Sequence, residues 1–329
     1  MKVIKRLSIA LAMATVSVAQ TQAFAVDWDF ATANSPGNYQ TKIDEQFAAE
    51  VAAATHDAVK IAVHPGGQLG FKGPEMLAAV RDGLVPIGSF QMTQQSGLVP
   101  VMGASSLPYV VSGFDEMKVF RTVSKGFYDD VFKHYNQKLL FVVPWPSQNV
   151  FSKVELSSAD IFRTMKIRTT DRAGSDFFRS LGASPAQIPW GEVVPALATG
   201  VIDSVSTSTS SAVDGQFWEF LNYCNVVNWQ TNFEVVTVNL DVWNDLSTED
   251  QKRIEDIATR LEPVFWDMAK AEDSKNIETL KSHGMHVMAP PSTVLDFMAA
   301  KGKPTWSAFQ QSVPASQPLL KQYLTDVGK

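Results

Sequence analysis

The chain has 329 residues, of which 45% are hydrophobic and 19% are charged, and its formal net charge is −6 at pH 7. This balance is typical of a globular protein, because disordered chains combine few apolar residues with a high net charge. The length favours two domains. A negative surface repels phosphate backbones, so the charge excludes nucleic acid as a partner. The single cysteine, Cys224, allows no internal disulfide.

The first 25 residues have the three-part pattern of a secretory signal peptide. Three basic residues within 2–6 precede an apolar run at 7–19, and Ala23-Phe24-Ala25 supplies the small residues of a cleavage site. We therefore expect export to the periplasm and a mature protein that begins at Val26. Losing the three basic residues would change the formal charge from −6 to −9. No apolar run reaches the roughly 20 residues that a membrane span needs.

The first part of the mature chain predicts strands and helices in alternation. Alternating or apolar residues predict strands, and apolar residues at helical spacing predict helices. In order, the elements are a strand at 27–31, a helix from 41, a strand at 59–63, a helix at 74–83 and a strand at 84–88. Short connections between such elements predict an open α/β sheet.

A similar unit is predicted at 166–203. It contains a strand at 166–168, a helix at 175–181, a strand at 187–189, a helix at 192–199 and a strand at 201–203. Residues 75–85 match 192–202 in one register, with glutamate, apolar residues and glycine at the same places. This match indicates either two similar α/β lobes with a cleft between them, or only the pattern that any helix–glycine–strand unit has.

A single long helix is predicted after the second unit. Ser247 is a typical N-cap with Asp250 as its capping-box partner, and the helical pattern continues to about His283. Pro263 lies inside this helix and should kink it, because proline removes one backbone hydrogen bond. A helix of this length can brace two lobes. Residues 290–329 predict further helices.

The sequence carries no recognisable catalytic motif, neither a nucleophile elbow nor a phosphate-binding loop. The serine- and threonine-rich run at 204–211 has no legible histidine–aspartate partners. His283 and His286 are close in sequence, but Gly284 should end the helix between them and no further metal ligand joins them. We therefore expect a protein that is not an enzyme and that holds no metal or cofactor. A periplasmic hydrolase that uses residues 204–211 stays an alternative.

Seven motifs, in order along the mature chain, resemble those of the DctP-type solute-binding proteins of TRAP transporters. They are V-H-P-G-G-Q-L-G at 63–70, A-V-R-D-G at 79–83, S-L-P-Y at 106–109, K-I-R at 166–168, G-A-S-P at 182–185, the helix and strand at 192–203, and N-x-x-x-W-x-x-L-S at 239–247. The resemblance spans nearly the whole mature chain.

The resemblance implies an α/β, two-lobed, class II-like periplasmic-binding-protein fold, whose lobes are joined by crossing strands and the long kinked helix. Lobe I would comprise 26–147 plus 235–273, and lobe II 148–234 plus 274–329. A small organic acid would bind in the cleft between the lobes. The loaded receptor would then deliver it to a permease of one small and one large integral membrane subunit. A receptor that docks on a membrane sensor is a further alternative.

Arg168 is the principal candidate for ligand binding, because the resemblance implies that the arginine of this strand pairs with the ligand carboxylate. A planar guanidinium donates two parallel charge-assisted hydrogen bonds, which a lysine cannot do. Many relatives carry a second arginine about twenty residues earlier, where this chain has Gln148. A single positive charge predicts a monocarboxylate. Trp145, Trp190 and Trp229 would supply apolar walls for an apolar or aromatic tail, although each could equally be packed in a core.

The remaining candidates are polar or aromatic residues near the predicted cleft ends of the strands, where open α/β sheets bind their ligands. They are Asn34, Asn38, Phe90, Gln91, Asn149, Thr207, Ser208 and Ser210.

Overall fold

The protein is described by a computed structural model that covers residues 25–329. The predicted signal peptide at 1–25 lies, apart from Ala25, outside the described residues. The strands are β1 (Val26–Thr32), β2 (Val59–His64), β3 (Ile87–Gln91), β4 (Gln137–Pro144), β5 (Gln148–Ser152), β6 (Lys166–Thr169), β7 (Ser184–Gln187), β8 (Ser204–Thr207), β9 (Tyr223–Gln230), β10 (Phe233–Asn239) and β11 (His286–Met288). The helices are α1 (Tyr39–Ala54), α2 (Met76–Arg81), α3 (Gly113–His134), α4 (Arg172–Ser180), α5 (Val193–Ala198), α6 (Thr209–Asp214), α7 (Leu240–Asn244), α8 (Thr248–Ser282), α9 (Ser292–Gly302), α10 (Pro304–Ser312) and α11 (Gln317–Asp326).

The strands form two sheets, each with helices on both faces, so the predicted two-lobed α/β class is confirmed. The first sheet, which we call lobe I with its helices, has the order β2-β1-β3-β10-β4. Here β1 pairs in parallel with β2 and β3, as short β-α-β connections require. The returning strand β10 is antiparallel to β3 and β4. Successive side chains of β10 point to opposite faces of the sheet. Val235 packs with α2, α3 and α11 on one face, and Val236 packs with α1 and α8 on the other.

The second sheet, which we call lobe II with its helices, has the order β11-β9-β5-β8-β6-β7. The same alternation operates in β5, because Val150 packs with α4 and α9 whereas Phe151 packs with α5 and α6. The strand β6 is parallel to both β7 and β8. Its end therefore lies at the edge of the sheet where a ligand cleft is expected.

Three of the connections between the lobes precede α9. The chain crosses at 145–147, between β4 and β5, and returns at 231–232, between β9 and β10. The third connection is α8, which contains Pro263 and contributes Ile254 to the core of lobe I and Leu280 to that of lobe II. Its N-cap is Ser247, whose hydroxyl accepts a hydrogen bond from the Asp250 N–H at 3.1 Å. The prediction of one long bracing helix is confirmed.

The C-terminal helices differ from the predicted assignment of 274–329 to lobe II. The helix α9 does pack on lobe II, but α11 packs against α3 in lobe I. There Leu320 and Tyr323 are buried, with Tyr323 edge-on to Phe120 at 5.2 Å between ring centroids. The chain therefore returns from lobe II to lobe I, where α11 buries the apolar face of α3.

The two similar units have the same local conformation at the same spacing. In each, a short 3-10 turn precedes the helix, a glycine lies two positions after the helix, and a strand begins four positions later. Gly83 and Gly200 have φ of +70° and +71°, a conformation that favours glycine. The turn after each glycine displaces the strands from the predicted 84–88 and 201–203 to β3 and β8.

Candidate functional site

A cavity of about 210 Å³ lies between the two lobes. Both lobes contribute to its lining, because β1 and β3 end at it from one side and β6 and β8 from the other. Most of the candidate residues from the sequence line this cavity. These are Asn34, Asn38, Phe90, Gln91, Trp145, Arg168, Trp190 and Thr207.

Arg168 is a buried cation in the wall of the cavity. It lies on β6 and is 2% exposed. Its Nε donates to the carbonyl oxygen of Ile188 at 2.9 Å, and its Nη1 to the Thr170 hydroxyl at 3.0 Å. Within the described part of the chain, no carboxylate lies within 4.0 Å of the guanidinium. Burial lowers its pKa to about 10, so it stays charged at neutral pH.

Asp171 is the acid that acts electrostatically on Arg168, but both of its carboxylate oxygens already accept other hydrogen bonds. One carboxylate oxygen of Asp171 accepts the Gly174 N–H at 2.7 Å and caps α4, and the other accepts from Gln230 at 3.1 Å. A buried cation without an ion-pair partner is costly. A ligand carboxylate at Arg168 would offset that cost through charge-assisted hydrogen bonds.

Glu234 is a buried acid on the opposite wall that the sequence analysis missed. It lies on β10, is 2% exposed and lines the cavity. Its Oε1 accepts from Asn34 and from Ser89, both at 2.9 Å, and its Oε2 accepts from the Trp145 indole at 2.8 Å. Burial raises its pKa above the usual value, although these three hydrogen bonds oppose the rise. The one available signal was an acid inside an otherwise apolar strand pattern.

Contacts between the lobes surround the cavity. Asn38 caps α1 by accepting from the Gln40 N–H, and its own amide donates to Asp214 of α6 at 2.5 Å. The Trp190 indole donates to the Ser35 hydroxyl at 3.1 Å. These hydrogen bonds join lobe I to lobe II, so separating the lobes would break them.

Asp214 should make stability depend on pH. Burial raises its pKa to about 6, although the hydrogen bond from Asn38 opposes this. Because the folded protein holds this proton more tightly than the unfolded chain, its contribution to the free energy of unfolding falls as pH rises from about 4 to about 6. Urea unfolding of the wild type and Asp214→Asn at pH 4 and pH 7 measures this. The variant should gain stability relative to the wild type at pH 7, and an identical pH dependence for the two proteins would contradict the assignment.

Gln148 and Asn149 do not line the cavity, although both lie on β5 as the crossing segment ends. Gln148 is buried, and its carbonyl oxygen accepts from the Ser206 hydroxyl at 3.2 Å. Asn149 accepts from the backbone N–H groups of Val227 and Asn228, at 3.0 and 3.1 Å. Both side chains therefore hold strands together within lobe II.

Ser208, Ser210 and Trp229 also lie away from the cavity lining. Ser208 caps α6 by accepting from the Ser211 N–H, and Ser210 accepts from Asn276 of α8 at 3.1 Å. Trp229 is in β9, and its side chain packs in the core of lobe II. Of the two roles considered for Trp229, a cavity wall or a core residue, the structure thus shows the core residue.

Among residues 25–329, no three or more histidine, cysteine, aspartate or glutamate side chains group in a way that could hold a metal ion. Over the same range, no helix is both long and apolar enough to cross a membrane.

The chain is similar to several characterised proteins. It is 22% identical to the sialic acid-binding periplasmic protein SiaP of Vibrio cholerae, over 100% of this chain and 97% of that protein. It is 23% identical to the ectoine-binding periplasmic protein TeaA of Halomonas elongata, over 86% and 83% of the two chains.

Two solved structures match the fold with a TM-score of 0.88 at 26% identity. One is DctP7 of Bordetella pertussis, an extracytoplasmic solute receptor binding pyroglutamic acid, matched over 91% of this chain and 99% of that one. The other is a marine metagenome TRAP solute-binding protein specific for pyroglutamate, matched over 92% and 99%. The model of the bacterial extracellular solute-binding proteins, family 7, matches residues 30–312. The resemblance found in the sequence is confirmed, and the chain belongs to this DctP family of TRAP solute receptors, which bind small organic acids.

Proposed function

We propose that this chain is a periplasmic receptor that binds a small monocarboxylic acid between its lobes and delivers it, unchanged, to a TRAP permease. The observation that carries the proposal is Arg168, a buried guanidinium in the cavity wall with no carboxylate partner among the described residues. A bidentate pair with a ligand carboxylate would satisfy its free N–H groups.

The charges around the cavity support one carboxylate rather than two. Arg168 is the single cationic side chain among the described residues of the lining, which also contains Asp214 and Glu234. A second carboxylate would meet at least one acid in a region of low dielectric, where like charges repel strongly. Gln148, which stands where many relatives have an arginine, lies outside the lining and adds no charge.

The aromatic lining supports a ring-bearing or apolar tail. Phe90, Trp145 and Trp190 all face the cavity, and contact with them removes apolar ligand surface from water at about 25 cal/mol per Å². Pyroglutamate, which the two 26%-identical receptors bind, is a ring-bearing monocarboxylate and is our first candidate ligand.

The family supports the proposed location and the proposed partner. The signal-peptide pattern at 1–25 supports export to the periplasm. A TRAP solute receptor works with membrane permease components, and we propose one small and one large integral subunit as the partner of this chain.

Thermal unfolding with matched acids tests the ligand class. Pyroglutamate and an aromatic monocarboxylate are compared with succinate at equal concentrations. A ligand at 100 times its Kd adds about 2.7 kcal/mol to the free energy of unfolding, which a shift in Tm reports. We expect a response to at least one monocarboxylate and none to succinate. Stabilisation by succinate alone would contradict the proposal, and chromatographic recovery of a converted ligand would contradict the receptor role.

A further inference from the structure

The two sides of the cavity carry residues of opposite charge, and a ligand carboxylate bound at Arg168 would account for only one of them. Arg168 marks its positive side in lobe II, and Glu234 marks a negative side in lobe I. Asp44 of α1 is a second buried acid in lobe I, and it lies outside the cavity lining. A ligand whose only polar group is a carboxylate would leave the negative side without a partner.

Glu234 is held in place with one acceptor position to spare. An ionised carboxylate has about four acceptor positions. Three are filled, by Asn34 after β1, Ser89 in β3 and Trp145 after β4. Because both oxygens already accept hydrogen bonds from N–H donors, the carboxylate is oriented as an acceptor.

Asp44 and Glu234 differ in how well their carboxyl groups are hydrogen-bonded. Burial and the charge of Glu234 both raise the pKa of Asp44 well above its usual value. Its Oδ2 contacts no hydrogen-bond partner among the described residues, whereas Glu234 receives two N–H donors. These two N–H donors favour the ionised form of Glu234, against the rise in its pKa that burial causes.

We propose that Glu234 is the second specificity determinant of the cavity and accepts a hydrogen bond from an N–H group of the ligand. The ligand would then be a small acid with a carboxylate for Arg168 and an N–H donor for Glu234, as in a lactam or a cyclic amino acid. This inference rests on the proposed function, since the carboxylate at Arg168 sets the position of the rest of the ligand.

A pair of matched ligands tests the inference on the wild-type protein. Pyroglutamate is compared with 3-oxocyclopentane-1-carboxylate, in which a CH₂ group replaces the ring N–H, by isothermal titration calorimetry. A hydrogen bond to a charged group stabilises by about 1.5–3 kcal/mol, so pyroglutamate should bind at least about tenfold more tightly. Equal affinities would overturn the inference. If Arg168→Ala then weakened both ligands, the proposed function would still stand; if both were bound equally well with and without Arg168, it would fail too.

Two variants assign the effect to Glu234. In Glu234→Gln the amide has one acceptor oxygen for three protein donors, so the ligand N–H loses its acceptor and the affinity ratio should fall to about one. Asp44→Asn is the control, because it replaces a buried acid outside the lining with a neutral side chain of the same shape, and the ratio should persist. A ratio kept in Glu234→Gln, or lost equally in Asp44→Asn, would overturn the assignment. The wild-type comparison still decides the question if Glu234→Gln does not fold.

Discussion

Arg168→Ala is expected to abolish tight binding of the ligand carboxylate. Removing one partner of a buried, hydrogen-bonded charge pair costs about 2–5 kcal/mol, which corresponds to a loss of roughly 30-fold to several thousand-fold in affinity. Arg168→Lys should also weaken binding by several-fold or more, because a single ammonium cannot reproduce the bidentate geometry. The fold should be retained, since the alanine variant removes a buried cation that makes no ion pair with a described residue.

Titration calorimetry of the three proteins with the best acid from the ligand screen measures this effect. Arg172→Ala is the matched control, because Arg172 is also in lobe II but its side chain is 83% exposed. The control should bind as the wild type does, and circular dichroism should show that every variant is folded. Near-normal affinity in Arg168→Ala would remove Arg168 from the binding site.

Trp229→Ala should destabilise the protein without acting through the ligand. Its ring is 1% exposed, stacks on Phe177 at 4.9 Å between centroids, and meets Phe178 edge-on at 5.3 Å. The indole also donates to the Ser206 hydroxyl at 2.8 Å. Truncating a buried tryptophan to alanine costs about 3–5 kcal/mol, through lost packing and the cavity that remains. Trp229→Phe should cost less, because an aromatic ring stays in place.

Urea unfolding without ligand gives the loss of stability, and titration of the folded variant gives the affinity. Trp190→Phe is the useful comparison, because Trp190 lines the cavity and its indole bonds across the lobes to Ser35. That variant should lower affinity more than stability. Unchanged unfolding of Trp229→Ala together with lost binding would place Trp229 in the site instead.

The elements with explicit local signals were predictable from the sequence. The long helix begins and ends within one residue of its prediction, because Ser247 and Gly284 flank it. Gly83 and Gly200 correctly marked the ends of two helices, but the turn after each glycine moved the next strand by about three residues. Such a shift depends on where the helix packs on the sheet, which local sequence does not encode.

The site was predictable only in part. Both faces of each strand are covered by helices, so the local sequence does not tell which side chains face the cavity and which enter a core. Arg168 and most cleft-end residues could be placed from strand ends and the family resemblance. Trp229 lies near the same edge in sequence, yet its side chain enters the core of lobe II. Glu234, in contrast, lines the cavity and was missed. An acid in a strand commonly faces solvent, and the partners Asn34 and Trp145 that hold Glu234 in place are distant from it in sequence. The return of α11 to lobe I is equally non-local.

A crystal structure of the protein with the tightest-binding monocarboxylate tests the central claim most directly. The ligand should lie between the lobes, with its carboxylate oxygens about 2.7–2.9 Å from the guanidinium nitrogens of Arg168. Side chains of both lobes should contact it. A ligand bound outside this cavity, or one whose carboxylate lies away from Arg168, would contradict the binding mode proposed for this receptor.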